Sequence, residues 1–355
     1  MTPQNSLRYA RQIRLPEVGI EGQERLSQAS ALVIGAGGLG APALHHLVAS
    51  GMGRVGFVEF DSVDVTNLHR QTLYSSDDVG KPKVEAAADR LHRINPAVTL
   101  EPHPVKLAAA NAAGLIGDYD VVLDGSDTFA TRYLVNDASV RTRTPNIFAS
   151  VSRFSGQASV FGTETGPCYR CLFPDPPPPD LVPNCEDGGV LGVVPSLMGT
   201  IQAAEALKHV LGLGESLAGR LLMIDVLAFE VREIAVARDP GCPVCGDDPR
   251  AVSRQPTEVA EITVAELRAR LEAHPPELLD VREAAERAAG HLGGRHIPVG
   301  QVAARSFELD ALRDREIVVY CKSGGRSAQA ARVLQDKGFR VRSLRGGFDA
   351  WSAQP

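Results

Sequence analysis

The chain has 355 residues, 44% hydrophobic and 23% charged, a mixture that excludes a disordered chain and suits about two globular domains at roughly 150 residues each. Its 37 basic and 43 acidic side chains leave a formal charge of −6, which argues against nucleic acid as a partner. Six cysteines, four of them in two C-x-x-C pairs, are too few for a disulfide scaffold and point to metal or sulfur chemistry in a reducing compartment.

The amino terminus, Met1-Thr-Pro-Gln-Asn-Ser6, lacks the basic-then-apolar order of a secretory signal, so a cytoplasmic location is expected. Residues 28–53 carry no formally charged side chain, but six glycines, Pro42, His45 and His46 make a membrane span a poor reading. A buried strand at 31–34, a glycine loop Gly35-Ala-Gly37-Gly38-Leu-Gly40 and a packed helix at 43–50 closed by Gly51 account for the stretch better. Further strands are expected at 55–59, 99–102, 121–124, 146–150 and 221–224, with amphipathic helices at 84–94 and 130–140 between them. This alternation predicts an α/β fold with a mainly parallel, doubly wound, Rossmann-like sheet. The proline-rich run at 174–183 cannot supply ladder hydrogen bonds and should form an extended crossing loop.

Glycines after a strand permit a tight turn and let backbone amides approach phosphates at the positive end of a helix. Asp61, about twenty residues on, is placed to accept hydrogen bonds from a ribose. Alone, this pattern suits NAD and an oxidoreductase. The following segments, Asp64-Val-Thr-Asn67-Leu-His-Arg70-Gln71, Gly80-Lys-Pro-Lys83 and Asp124-Gly-Ser-Asp127-Thr128, add cations and a carboxylate around the same strand ends. Attack on an α-phosphate needs them: Arg and Lys stabilise developing charge and an Asp holds Mg²⁺. Together with Arg8-Tyr-Ala-Arg11-Gln-Ile, these motifs resemble the E1-like adenylyltransferases that activate ubiquitin-like sulfur carrier proteins for molybdopterin and thiamine biosynthesis, over about residues 6–248. The resemblance implies ATP at Gly35, Gly37, Gly38 and Gly40, with Asp61 on the ribose and Asn67, Arg70 and Lys83 on the triphosphate. It also implies Mg²⁺ on Asp127 and a homodimer in which Arg11 reaches the partner subunit's triphosphate.

Cys168-Tyr-Arg-Cys171 and Cys242-Pro-Val-Cys245 each let two thiolates meet one tetrahedral ion, and four thiolates make a closed structural Zn²⁺ site. A redox role for either pair is disfavoured because two pairs are present. Cys185 is unpaired in sequence, in Asn184-Cys185-Glu-Asp-Gly-Gly189 after the proline run. The E1-like resemblance implies that a cysteine here can bond to the activated carrier, although some relatives adenylate without it.

From 239 to 258 the pattern fades into Pro, Gly, Asp and Arg, so the expected division is an adenylation domain at 1–248, a linker at 249–259 and a second α/β domain at 260–355. Thr263 and Glu266 form a capping-box signature, and strands at 278–281 and 317–320 alternate with helices at 327–337 and 349–352. Cys321 follows a buried strand and precedes Lys322-Ser-Gly-Gly-Arg326-Ser327, where loop amides, a helix amino terminus and Arg326 favour a thiolate. With Asp280-Val-Arg282-Glu283, Gly290-His291 and Gly346-Gly-Phe348-x-x-Trp351, this resembles a rhodanese-like sulfurtransferase domain. The resemblance implies a Cys321 persulfide. Rhodanese-like phosphatases place one more residue between Cys and Arg, so by the resemblance the four residues between Cys321 and Arg326 imply sulfur rather than phosphate, and Asp280 and Arg282 should brace the loop through a salt bridge.

The two resemblances imply one sequence of reactions. The terminal glycine carboxylate of a small carrier ending in Gly-Gly is adenylated, the Cys321 persulfide displaces AMP, and reductive cleavage, with Cys185 as one candidate, releases a thiocarboxylate. The sulfur would come from a persulfide or thiosulfate donor. The alternatives are an NAD-dependent oxidoreductase, for which His69 is a weak proton shuttle, and a non-catalytic carrier-docking module.

Overall fold

The computed structural model describes residues 3–176, 189–249, 259–273 and 275–353. Cys185, most of the proline run and residues 250–258 of the expected linker lie outside the described residues. The described residues fall into two compact units, one on each side of that linker.

The first unit is built on an eight-stranded sheet, in which β1 (Ser30–Ile34), β2 (Arg54–Val58), β3 (Thr99–His103), β4 (Val121–Asp124), β5 (Asn146–Ser152), β6 (Ser155–Phe161), β7 (Arg220–Asp225) and β8 (Glu230–Ala235) stand in the order β3-β2-β1-β4-β5-β6-β7-β8. The first five pair in parallel and the last three antiparallel. β1 is buried along its whole length, which explains its uninterrupted apolar run. β6 and β8 were not expected. Gly156 and Gln157 blur the apolar alternation of β6, and β8 is an exposed edge strand with three charged side chains among its six residues. The sequence reading also passed over the helix Val193–Leu211, which packs on the helix Gly40–Ser50 and on β5. Its buried Gln202 donates from Nε2 to the carbonyls of Asp124 and Ile147 at 2.8 Å each, tying the helix to adjacent strand ends.

The second unit holds a wholly parallel sheet in the order β11-β10-β12-β13-β9, formed by β9 (Glu261–Ile262), β10 (Glu277–Asp280), β11 (Arg295–His296), β12 (Glu316–Tyr320) and β13 (Arg340–Leu344). The Thr263–Glu266 capping box forms: Glu266 accepts from the Thr263 N–H at 2.9 Å, and the Glu266 N–H donates to Thr263 Oγ1 at 3.2 Å. β10 and β12 are almost entirely buried because helices cover both faces of the sheet. Among the described residues of the chain, no helix is long and apolar enough to cross a membrane.

Candidate functional site

Gly35 leaves β1 at φ +87°, and the turn that follows is so tight that a Cβ on Gly40 would lie 1.8 Å from the Gly35 carbonyl oxygen. Only glycine fits at position 40. Among the described residues nothing accepts the N–H groups of Gly37, Gly38 or Leu39. Three free donors therefore stand at the positive end of the helix Gly40–Ser50, an arrangement that binds anions.

The acid at the end of β2 is Glu59, not Asp61. β2 stops at Val58, and the Glu59 carboxylate, 6% exposed, accepts from Ala36 N–H in the glycine loop at 3.1 Å and from the Phe60 and Asp61 N–H groups at 2.9 Å each. Asp61 has already entered the next turn, with its carbonyl accepting the Lys83 N–H at 2.9 Å. Its exposed carboxylate faces the Lys83 ammonium at 3.4 Å. Sequence reading missed Glu59 because two acids two residues apart look alike until the end of the strand is known. The alternation of hydrophobic and polar positions could have signalled it, since Glu59 follows directly on the buried Gly56-Phe57-Val58 run.

Lys83 opens the helix Lys83–Ile94, and its side chain is 7% exposed. A buried ammonium with one long ion pair is poorly compensated, and an anionic ligand completes its environment. Asn67 and Arg70 stand around a short turn at Val65–Asn67, in which Asp64 Oδ1 accepts the Thr66 N–H at 2.8 Å and Arg70 Nη1 donates to the Thr66 carbonyl at 2.9 Å. The Arg70 stem passes beside Gly38. Asp127 lies exposed between β4 and the helix Phe129–Thr142, and the Gly125 N–H ties that loop to Ile34 at the end of β1 at 3.0 Å. Thr128, not Asp127, caps the helix by accepting from the Thr131 N–H, so the Asp127 carboxylate is left uncommitted. The glycine loop, Asn67, Arg70, Lys83 and Asp127 thus belong to the loops at the carboxyl ends of β1, β2 and β4, the ligand edge of an open α/β sheet.

Arg11 is not brought there. Gln12 Nε2 donates to the Ser50 carbonyl at 3.2 Å, and Tyr9 Oη accepts from Asn95 Nδ2 at 2.7 Å. These contacts dock the Arg11 segment on the carboxyl ends of the helices Gly40–Ser50 and Lys83–Ile94, and an eleven-residue helix puts about 15 Å between that end and the glycine loop.

The two C-x-x-C pairs converge. Their four Sγ atoms lie within 4.8 Å of one another, with Cys168 to Cys242 at 3.6 Å and Cys171 to Cys245 at 3.3 Å. Tetrahedral thiolates at a metal–sulfur distance of ~2.3 Å stand about 3.8 Å apart, so the cluster fits one such ion. Burial pushes the Cys168 thiol far up and the Cys245 thiol up to about 12, with neighbouring sulfurs adding to both shifts. Burial works upward on Cys242 too, but the N–H groups of Cys245 and Val244 and the Cys168 and Cys245 sulfurs together move it down. Full deprotonation of the four thiols calls for a cation. The Asp239 N–H donates to Cys171 Sγ at 3.4 Å, and the Arg238 guanidinium holds the Cys245 carbonyl.

Between the first pair of cysteines, Arg170 is almost wholly buried and forms a bidentate pair with Asp137, Nε to Oδ1 at 2.8 Å and Nη2 to Oδ2 at 2.9 Å. Its Nη1 also holds the Pro174 carbonyl at 3.1 Å. This clamp fastens the cysteine turn to the helix Phe129–Thr142. Replacing Asp137 by alanine is expected to cost roughly 3–5 kcal/mol in urea unfolding by stranding the guanidinium; a cost below about 1 kcal/mol would refute the clamp.

In the second unit Cys321 is 1% exposed at the end of β12, and the Gly324 N–H donates to its Sγ at 3.1 Å. The N–H groups of Phe348 and Asp349 hold the carbonyls of Cys321 and Lys322 at 2.8 and 2.9 Å, and a Cβ on Gly347 would lie 2.5 Å from both of those oxygens. Asp280 and Arg282 form the expected salt bridge, at 2.9 and 2.7 Å, with both side chains buried. Arg326 has a partner that was not expected. It is engaged through both terminal nitrogens by Glu286 at 2.7 Å each, and that guanidinium draws the Glu286 carboxyl down to about 2. Glu286 lies forty residues from Arg326, and nothing local in the sequence marks the partnership.

The ThiF family profile matches residues 9–244, and the rhodanese-like domain profile matches residues 263–354. The sulfur carrier protein adenylyltransferase of Thermus thermophilus is 55% identical over 68% of this chain and 91% of its own. The probable adenylyltransferase/sulfurtransferase MoeZ of Mycobacterium tuberculosis is 41% identical over 98% of this chain and 93% of its own. Adenylyltransferase and sulfurtransferase MOCS3 of Sus scrofa is 40% identical over 98% and 86%. Among solved structures, E. coli MccB with MccA-N7isoASN superposes with a TM-score of 0.61 at 22% identity, covering 68% of this chain and 75% of that one, a likeness of fold alone. The glycine loop, the converging cysteines and the Cys321 loop thus stand in a chain that belongs to the ThiF family and carries a rhodanese-like domain after its E1-like domain.

Proposed function

We propose that the chain adenylates the terminal glycine carboxylate of a ubiquitin-like sulfur carrier protein with ATP and then converts it to a thiocarboxylate with sulfur carried on Cys321. The names of the full-length relatives support the pairing of activities, and the observation that carries the nucleotide step is the buried, undercompensated Lys83 together with three free loop amides at the same edge of the sheet. A carboxylate oxygen of the carrier attacks the α-phosphorus and pyrophosphate leaves, while Lys83, Arg70 and the loop N–H groups hold the phosphate oxygens as charge builds. Glu59 is the better candidate for the ribose hydroxyls. Asp127 would hold Mg²⁺, which supplies charge neutralisation on the phosphates. Cys168, Cys171, Cys242 and Cys245 would hold Zn²⁺, which supplies a structural crosslink.

In the second step the Cys321 persulfide attacks the acyl carbon and AMP leaves, giving an acyl disulfide. A thiol, with Cys185 as one candidate, then attacks the Cys321 sulfur. The thiocarboxylate departs, and the disulfide left on Cys321 is reduced by a further thiol. We also propose a homodimer, because within one chain Arg11 sits at the wrong end of the helix Gly40–Ser50. Lys83→Ala is expected to lower carrier-dependent ATP–pyrophosphate exchange by about 10²–10³-fold. Mixing that protein with Arg11→Ala should restore exchange, since the mixed dimer has one site with both residues intact. Unchanged exchange in Lys83→Ala would sink the assignment of the site, and failure to complement would sink the shared one.

A further inference from the structure

We infer that Glu286, by engaging Arg326, makes the Cys321 loop selective for a persulfide donor over thiosulfate; this rests on the reading of Cys321 as the sulfur carrier. Arg326 is the cation in the first turn of the helix Gly325–Asp336 that opens from the loop, and each of its terminal nitrogens donates to one Glu286 oxygen at 2.7 Å, so the carboxylate offsets the guanidinium charge. Such a forked pair is the strongest geometry available to these groups. Glu286 is held in turn, because its Oε2 also accepts the Glu283 N–H at 3.0 Å at the start of the helix Ala284–Ala288.

The other charges around the loop do not restore a free cation pair. Lys322 is exposed, Glu283 also acts on Arg326, and Arg282 and Arg287 share Asp280 at 2.7 and 3.5 Å. Glu286 and Glu283 thus offset Arg326 and Lys322, and the two arginines on the one Asp280 leave a single positive charge in excess. Thiosulfate brings two negative charges to a guanidinium whose charge the Glu286 carboxylate already offsets, and it has to compete with that carboxylate for it. A persulfide brings at most one negative charge at its sulfurs.

Both loading reactions balance without an added oxidant or reductant. The Cys321 thiolate attacks the outer sulfur of a donor R–S–SH, a Cys321 S–S bond forms as the donor S–S bond breaks, and R–S⁻ leaves. With thiosulfate the same attack expels sulfite. The difference lies in binding the donor, so Glu286 acts as a positioning residue through Arg326.

The test compares full-length wild type, Glu286→Gln and Glu286→Asp, loading Cys321 from thiosulfate and from cysteine persulfide, with kcat and KM resolved for each donor and the sulfur adduct on Cys321 confirmed by mass. Wild type should favour the persulfide. Glu286→Gln should shift the ratio of kcat/KM values toward thiosulfate by about tenfold, chiefly through the thiosulfate KM, and Glu286→Asp should keep most of the wild-type ratio. A ratio that stays within about twofold in Glu286→Gln, or rates that fall in parallel for both donors, would overturn the selectivity role. No sulfur on Cys321 of wild type from either donor would overturn instead the sulfur-carrier reading beneath it.

Discussion

Cys321→Ala is expected to lower formation of carrier thiocarboxylate by at least about 10³-fold, while carrier-dependent ATP–pyrophosphate exchange stays within about twofold of wild type. Alanine removes the only sulfur in the loop between β12 and the helix Gly325–Asp336. The loop itself is held by backbone bonds that alanine leaves in place, Phe348 N–H to the Cys321 carbonyl and Asp349 N–H to the Lys322 carbonyl. The Gly324 N–H loses its sulfur acceptor, a modest cost beside the loss of the nucleophile. The site proposed for adenylation, Lys83, Arg70 and the glycine loop, belongs to the other unit, so exchange of pyrophosphate should persist. Mass spectrometry of the carrier after reaction with ATP and a persulfide donor reads the first outcome, and radiolabelled pyrophosphate reads the second. Thiocarboxylate made at the normal rate by Cys321→Ala would remove Cys321 from the pathway.

Cys242→Ser is expected to release the bound metal and to destabilise the first unit by several kcal/mol, on the order of 5. Cys168 and Cys242 are both at most 1% exposed and 74 residues apart in the chain, so a tetrahedral ion held there would close a long loop as well as neutralise buried thiolates. Serine keeps the volume but gives up a soft, anionic ligand, leaving three sulfurs and a hydroxyl that stays protonated. The unit retains a large apolar core around β1 and the helix Gly40–Ser50, so it should unfold earlier rather than fail to fold. Metal content per chain, by elemental analysis after removal of loose ions, and the thermal midpoint with and without a chelator are the measurements. One tightly bound zinc per chain in Cys242→Ser, with an unchanged midpoint, would refute a four-thiolate site.

Several features were legible because they depend on short stretches of backbone. A strand, a glycine turn and a helix at residues 31–50 need only local geometry, and the structure places them as β1 and the helix Gly40–Ser50. The Thr263–Glu266 capping box is local in the same sense. The antiparallel strands β6 and β8 escaped notice because one is interrupted by small and polar residues and the other is exposed throughout. Their place in the sheet comes from pairing with β5 and β7, not from their own composition.

By itself the sequence determined which chemical groups are present and in what local setting: the glycine loop after a strand, two C-x-x-C pairs, a cysteine at a helix start. Tertiary structure alone decided which distant groups meet. Whether Glu59 or Asp61 faces the glycine loop depends on where β2 stops: a strand continued to 61 would put both acids on one face, whereas the chain leaves the strand after Val58 and Glu59 is the one that meets Ala36. That Cys168 meets Cys242, that Glu286 takes up Arg326, and that the Arg11 segment docks at the far end of the helix Gly40–Ser50 are all contacts between segments remote in the chain. Charge and distance set their consequences, and neither can be read until the sheet and its helices have fixed where each side chain points.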